Sequence, residues 1–200
     1  MLRDRADRSR APPGSRRATD ARDSALVARV AAGDVTAFEA LYRAYHSRLS
    51  RFIGLMTAHR SVVEEALNDT MLVVWKRSET YNRQCKVSTW IFAIAYRTTL
   101  KALHRQDDFT VGTACDHLPS DAAGPEQQHS DRETSAALAH ALDGLSAEQR
   151  SVLVLTYFHD LPYAEIAQVV DCPIDTVKTR VFHGRRRLRA LLSGELKDWL

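Results

Sequence analysis

Residues 163–192 read YAEIAQVVDCPIDTVKTRVFHGRRRLRALL. Ile174, Val177, Val181 and Leu188 recur at helical spacing, which predicts one buried stripe and leaves Lys178, Thr179, Phe182, His183 and Arg186 on the opposite side. Just upstream, Ile166, Ala167 and Val170 give a second, shorter buried face, and Asp171-Cys172-Pro173 separates the two. Two short helices joined by a tight turn, the second with cations on its free face, match a helix-turn-helix, whose second helix enters the major groove of DNA. Arg185, Arg186, Arg187 and Arg189 suit phosphates, a source of salt-dependent and sequence-indifferent affinity. Lys178, Thr179 and His183 are better placed for base edges, and Phe182 suits either a thymine methyl or another helix of its own domain. Gly184 costs about 1 kcal/mol relative to Ala inside a helix unless packing or a close approach compensates. Asp175 in the first turn favours the helix dipole but repels a nearby phosphate. A basic amphipathic helix also suits a merely solvated face, so this stretch alone leaves both readings open.

The rest of the chain narrows them. Two hundred residues at 44% hydrophobic suffice for one ordinary domain or two small ones, and no run approaches the roughly 20 apolar residues that cross a bilayer. The formal net charge is only +3, so the basic helix is a local concentration of charge. The Arg-rich beginning, MLRDRADRSRAPPGSRRATDARD, has no apolar run behind it and does not read as a secretory signal, so the chain is expected to stay in the cytoplasm. Cys85, Cys115 and Cys172 are odd in number and far apart, which argues against a disulfide framework.

Residues 1–23 mix Arg, Asp, Ala and Pro without periodicity and are expected to form a disordered basic arm. From residue 24 to about 106 the pattern is helical: Ala28, Val30, Phe38, Leu41, Tyr42, Leu49 and Phe52 recur at threes and fours, and so do Val63, Leu67, Met71 and Val74. Residues 107–133 gather Gly, Pro, Ser and Asp and lose the period, which predicts a linker. Residues 134–195 are helical again, with Ser146-Ala147-Glu148-Gln149 at capping-box spacing ahead of an apolar run. The expected fold is all-α: two small helical domains on a flexible tether.

At this point the residues carry a family resemblance. YAEIAQVVDCPIDTVKTRVFHGRRRLRALL resembles the promoter-reading C-terminal domain of extracytoplasmic-function (ECF, group 4) RNA polymerase sigma factors, with its EIA helix, CP turn and TVK-x-R recognition helix. Asp171 and Asp175 stand where that family often has Gly. EEALNDTMLVVWKR, residues 64–77, resembles the family's acidic helix that grips core polymerase, and VSTWIFAIAYRTTLKALHR, residues 87–105, resembles the helix behind the loop that captures an unpaired promoter base. The resemblance covers about residues 24–195. It implies a sigma region 2 domain over 24–106 and a region 4 domain over 134–195. It also implies core RNA polymerase (its beta-prime and beta subunits) and promoter DNA as partners, with an anti-sigma factor as regulator.

Each part also has a reading of its own. On the acidic helix Glu64, Glu65, Asn68, Asp69 and Leu72 form a mixed acidic and apolar patch that suits a basic partner helix, or simply solvent. Asn68 stands where the family usually has Gln. The stretch TYNRQCKVSTW, residues 80–90, breaks the helical period and combines Tyr81, Asn82, Arg83, Gln84 and Lys86. Amides read the edge of an extruded base, aromatics stack on it and cations hold its backbone, although composition alone equally fits a polar connection. The resemblance adds Trp90, Arg97 and Lys101 to this minus-10 set, with Arg97 where the family commonly has Asn; Trp90 has neighbours, Ile91 and Ile94, that suit a core. For the minus-35 element it implies Thr176, Lys178, Thr179, Arg180, Phe182, His183, Arg186 and Arg187.

Catalytic motifs are absent from the sequence: there is no Gly-rich phosphate loop, HExxH pair or Cys-x-x-Cys, and Cys115 with His117 lacks two further evident ligands. No catalytic residue, metal or cofactor is expected. Two rivals stay open, a dimeric helix-turn-helix regulator of duplex DNA and a sigma-like decoy that occupies an anti-sigma factor.

Overall fold

Ser146 does what its spacing suggests. It caps a helix, its hydroxyl accepting from the Gln149 amide at 3.3 Å. The computed structural model describes residues 13–109 and 138–192, with the backbone alone for 13–17 and 107–109. All regular elements among the described residues are helical: α1 (Pro13–Ala31), α2 (Val35–Met56), α3 (Arg60–Arg77), a short 3-10 turn (Ser78–Thr80), α4 (Val87–Phe109), α5 (residues 138–143), α6 (Ala147–Tyr157), α7 (Tyr163–Val170) and α8 (Ile174–Leu191). The first half packs α1 to α4 on one another, and the second packs α6, α7 and α8.

The expected disordered arm is corrected over residues 13–23, which are helical; residues 1–12 lie outside the described residues. Pro13 occupies the first helical position, where its fixed φ and missing N–H suit a helix start. The buried face of α1 is Asp23, Leu26, Val27 and Val30, while Ala28, expected inside, is exposed. Asp23 is buried because Tyr45 in α2 donates its hydroxyl to the carboxylate at 2.6 Å. Burial of Tyr45, and then the hydrogen bond to Asp23, push the phenol far above its ordinary pKa. Asp20 reaches further and accepts from the Val87 amide, the first of α4, at 3.1 Å. A chain starting at residue 24 therefore loses two long-range hydrogen bonds to carboxylates. Its stability should fall by about 2 kcal/mol in denaturant titration, and an unchanged midpoint would show that α1 holds nothing in place.

Beyond the end of α1 at Ala31, Gly33 lies in the left-handed region (φ 84), and Asp34 then caps α2 by accepting from the Ala37 amide at 3.0 Å. The Ala37 amide, followed by the bond from Arg29, holds the Asp34 carboxyl below its usual range.

α4 joins the two halves. Ile91, Phe92, Ala93, Ile94, Ala95 and Tyr96 are all buried, and six consecutive buried residues cannot share one face of a helix. One side rests on α3 and the other receives α7, so the two helical domains pack on each other through one continuous core. The linker expected at 107–133 begins within α4, and residues 110–137 lie outside the described residues. Arg150 of α6, 8% exposed, donates to the Met56 carbonyl at the end of α2 at 2.8 Å and pairs with Asp143 at 2.8 Å. A cation there meets the negative end of the α2 dipole.

His159 sits at the same junction, its ring 6.0 Å from Phe52 and 4.9 Å from Phe92, with Nε2 buried and unbonded among the described residues. Burial first, then the charges of Arg48 and Arg51, lower its pKa from 6.5 to about 4. A base with a depressed folded-state pKa stays neutral when folded. The stability it contributes is full above pH 6.5 and is lost as the pH falls towards 4. His159 lines an open cleft with Arg48 and Arg51, and Asp160 is the acid that lines it too. Thermal unfolding of His159→Phe should be less pH-dependent than wild type between those values; parallel curves would show that His159 does not titrate with unfolding.

Candidate nucleic-acid interface

In the second half, α7 and α8 meet at Asp171, whose φ of 53 and ψ of 55 are left-handed, a conformation that Asp tolerates better than most side chains. The turn thus forms without a glycine. Val177, Val181, Gly184 and Leu188 make the buried stripe of α8, whereas Ile174, expected in it, is 40% exposed at the first helical position. Gly184 is needed for close approach. A Cβ there would lie 3.1 Å from Leu153 Cδ1 on α6, a side chain itself buried in the core.

The outer face of α8 carries Lys178, Thr179, Phe182, His183 and Arg186, all exposed. Phe182 is 62% exposed, with the His183 ring edge to face at 5.3 Å, so most of its surface is open to a partner outside its own domain. Lys178 is held by Asp175 at 2.9 Å, and the Thr179 hydroxyl donates to the Asp175 carbonyl at 2.9 Å. Three of the expected cations turn elsewhere. Arg180 is half-buried against Cys172 Sγ at 3.8 Å, Arg187 donates to the Gly144 carbonyl at 2.6 Å, and Arg185 lies 5.9 Å from the Tyr157 ring. Thr176 is half-buried. What projects is a short row of donors with one aromatic, a geometry suited to a groove edge flanked by phosphates.

The first half presents the loop between the 3-10 turn and α4. Tyr81 is half-buried, tilted on the half-buried Trp90 at 5.3 Å, and donates its hydroxyl to the Cys85 carbonyl at 2.7 Å. Burial, the largest cause, raises both the Tyr81 phenol and the Cys85 thiol above their ordinary pKa values. Asn82 accepts from the Gln84 amide at 3.1 Å, and Arg83 between them is left-handed at φ 61. The tip is fixed, and Asn82, Arg83, Gln84 and Lys86 remain exposed. An open cavity of about 620 Å³ lies between this loop and α1. Further along α4, Arg97 is exposed and turned back to the Ala93 carbonyl at 3.1 Å, and Lys101 is exposed one turn beyond it. Lys86 does not face solvent alone: it forms an ion pair with Glu165 of α7, which also accepts from the Thr89 hydroxyl at 3.2 Å.

On α3 the expected patch divides. Glu65 and Asp69 pair with Arg105 of α4 at 2.8 and 3.6 Å, and Glu64 pairs with Arg60 one turn back at 2.9 Å. Asn68 and Leu72 are exposed, Leu72 at 49%, which leaves an apolar residue at the centre of an acidic surface. Cys115 and His117 lie outside the described residues. Asp20, Arg150 and Glu165 escaped the sequence reading, since each acts on a residue far away in the chain; the only local signal was Pro13 ahead of a run of Ala and Arg.

Comparison with known proteins bears on both halves. Residues 41–109 match the family model for Sigma-70 region 2, and residues 135–188 match that for Sigma-70, region 4. Among curated relatives, the ECF RNA polymerase sigma-E factor of Haemophilus influenzae is 26% identical over 182 residues, covering 83% of this chain and 93% of the relative. The ECF RNA polymerase sigma factor SigM of Mycobacterium tuberculosis is 29% identical over 170 residues, covering 85% and 84%. The fold is similar to that of CnrH, solved in complex with the cytosolic domain of CnrY (TM-score 0.65, 21% identity, 85% of this chain and 96% of that one). It is also similar to the sigma factor RpoE solved with the anti-sigma factor NepR from Bartonella quintana (TM-score 0.64, 22% identity, 80% and 99%). With both regions matched in order and relatives aligned along most of its length, the chain belongs to the ECF RNA polymerase sigma factors.

Proposed function

We propose that this sigma factor binds core RNA polymerase through the α3 face around Glu64, Asn68 and Leu72, reads the minus-35 duplex with the outer face of α8, and captures the melted minus-10 strand in the loop at residues 80–90. The observation that carries this reading is the pairing, on one chain, of a helix-turn-helix that keeps Lys178, Thr179, Phe182, His183 and Arg186 outside with a polar loop fixed around a cavity. Duplex readout needs the first and single-strand capture needs the second. The protein does no covalent chemistry; it lends specificity to the polymerase, and its place of action is the cytoplasm, where core and promoter meet.

Glu165 holds Lys86 and Thr89 on the proposed minus-10 side, so the halves must part before both promoter elements are engaged. The packed arrangement is proposed as the polymerase-free state, and as the state that an anti-sigma partner stabilises. The partner proteins seen with CnrH and RpoE support such a regulator. Leu72→Ala should lower affinity for core polymerase several-fold, about 1 kcal/mol, without changing the melting temperature, because the side chain is already half exposed. Titration of labelled protein with core measures it, and unchanged affinity for both Leu72→Ala and Asn68→Ala would remove α3 from the interface.

A further inference from the structure

The cavity beside the loop has a wall that no minus-10 residue supplies. Asp20 and Ser24 of α1 line one side, facing Tyr81, Arg83, Gln84 and Lys86. The Asp20 Oδ1 is occupied by the Val87 amide at 3.1 Å, which ties α1 to the start of α4 and so fixes where the loop ends. Its other oxygen has no partner among the described residues, and its negative charge adds, behind burial, to the raised pKa values of Tyr81 and Cys85 on the loop. Arg83 and Lys86 are cations lining the cavity, so an extruded nucleotide whose phosphate they held would bring its base against α1.

A carboxylate only accepts hydrogen bonds. At position 4 of a pyrimidine and position 6 of a purine, cytosine and adenine present an exocyclic amino group where thymine and guanine present a carbonyl oxygen; the amino group of guanine lies at the other end of its pairing face. We infer that Asp20 is a specificity-determining residue of the capture pocket, its free oxygen accepting from an amino group at position 4 of a captured pyrimidine or position 6 of a captured purine, so that cytosine or adenine is selected over thymine or guanine. The assignment rests on the proposal that the residue 80–90 loop takes up the unpaired base. It makes the N-terminal helix a reader of the promoter as well as a structural brace. Asp20→Asn separates the two roles. The amide oxygen still accepts from Val87, while an amino group replaces the free acceptor and favours a carbonyl-bearing base.

The test is initiation by reconstituted holoenzyme from templates randomised across the minus-10 element, followed by a cytosine-to-uracil exchange at the selected position, which swaps amino for carbonyl. Wild type should prefer cytosine or adenine at one position and lose roughly tenfold on uracil. Asp20→Asn, with melting unchanged, should lose or reverse that preference. If wild type prefers thymine or guanine at every position that the loop variants Asn82→Ala and Gln84→Ala affect, the inference fails without reference to any Asp20 variant. If those loop variants abolish a cytosine or adenine preference that Asp20→Asn retains, the loop reads the base and Asp20 does not. If neither alters discrimination, capture by the loop fails and the role of Asp20 falls with it.

Discussion

Combined alanine substitution of Lys178 and Thr179 should cost up to about 100-fold in initiation from the cognate minus-35 sequence, roughly 1–3 kcal/mol for each base that is no longer read, and much less from mismatched sequences. Both side chains stand exposed on the outer face of α8, and neither contributes to its buried stripe. Arg186→Ala should behave differently: affinity falls by a similar factor on every sequence, and the slope of log affinity against log salt drops by about one. Asp175 tunes the first effect. It holds the Lys178 ammonium at 2.9 Å, and that hold must be released before Lys178 reaches a base. Equal losses on cognate and mismatched DNA for all these variants would show that α8 binds phosphates alone.

The second large effect is at the junction of the halves. Arg150→Ala removes a buried guanidinium, strands the Met56 carbonyl at the end of α2 and should weaken closure by about 3 kcal/mol. Small-angle scattering should then show a larger radius of gyration, while initiation by holoenzyme is preserved, because the open form is the one proposed to engage DNA. Asp143→Ala is the control. It removes the pairing of Arg150 with Asp143, which is 41% exposed on the side chain, and leaves the bond to Met56 in place. An Arg150→Ala protein as compact as wild type would mean that closure depends on the apolar packing of α4 against α7 alone.

Where the sequence was a good guide, the physics was local. The Ser146 cap, the buried Val177, Val181 and Leu188, and the exposed row on α8 all follow from spacing within one or two turns. Where it misled, the deciding partner was remote. Residues 13–23 look like a solvated basic arm until Asp23 meets Tyr45 and Asp20 meets Val87, across 22 and 67 residues of chain. The continuous burial of Ile91 to Tyr96 was visible as an apolar run, but periodicity could not show that its second face belongs to α7. The same holds for the site: Lys86 and Arg187 were legible as cations, while their ties to Glu165 and to the Gly144 carbonyl depend on packing between elements.

The central claim is that this chain directs core polymerase to particular promoters. The most direct measurement mixes the purified protein with bacterial core RNA polymerase and reads transcription start sites from a library of DNA templates. Initiation confined to templates that share two short elements, one upstream and one at the melted start region, is the expected result. Binding to duplex DNA with no association with core, or no binding to either, would contradict it.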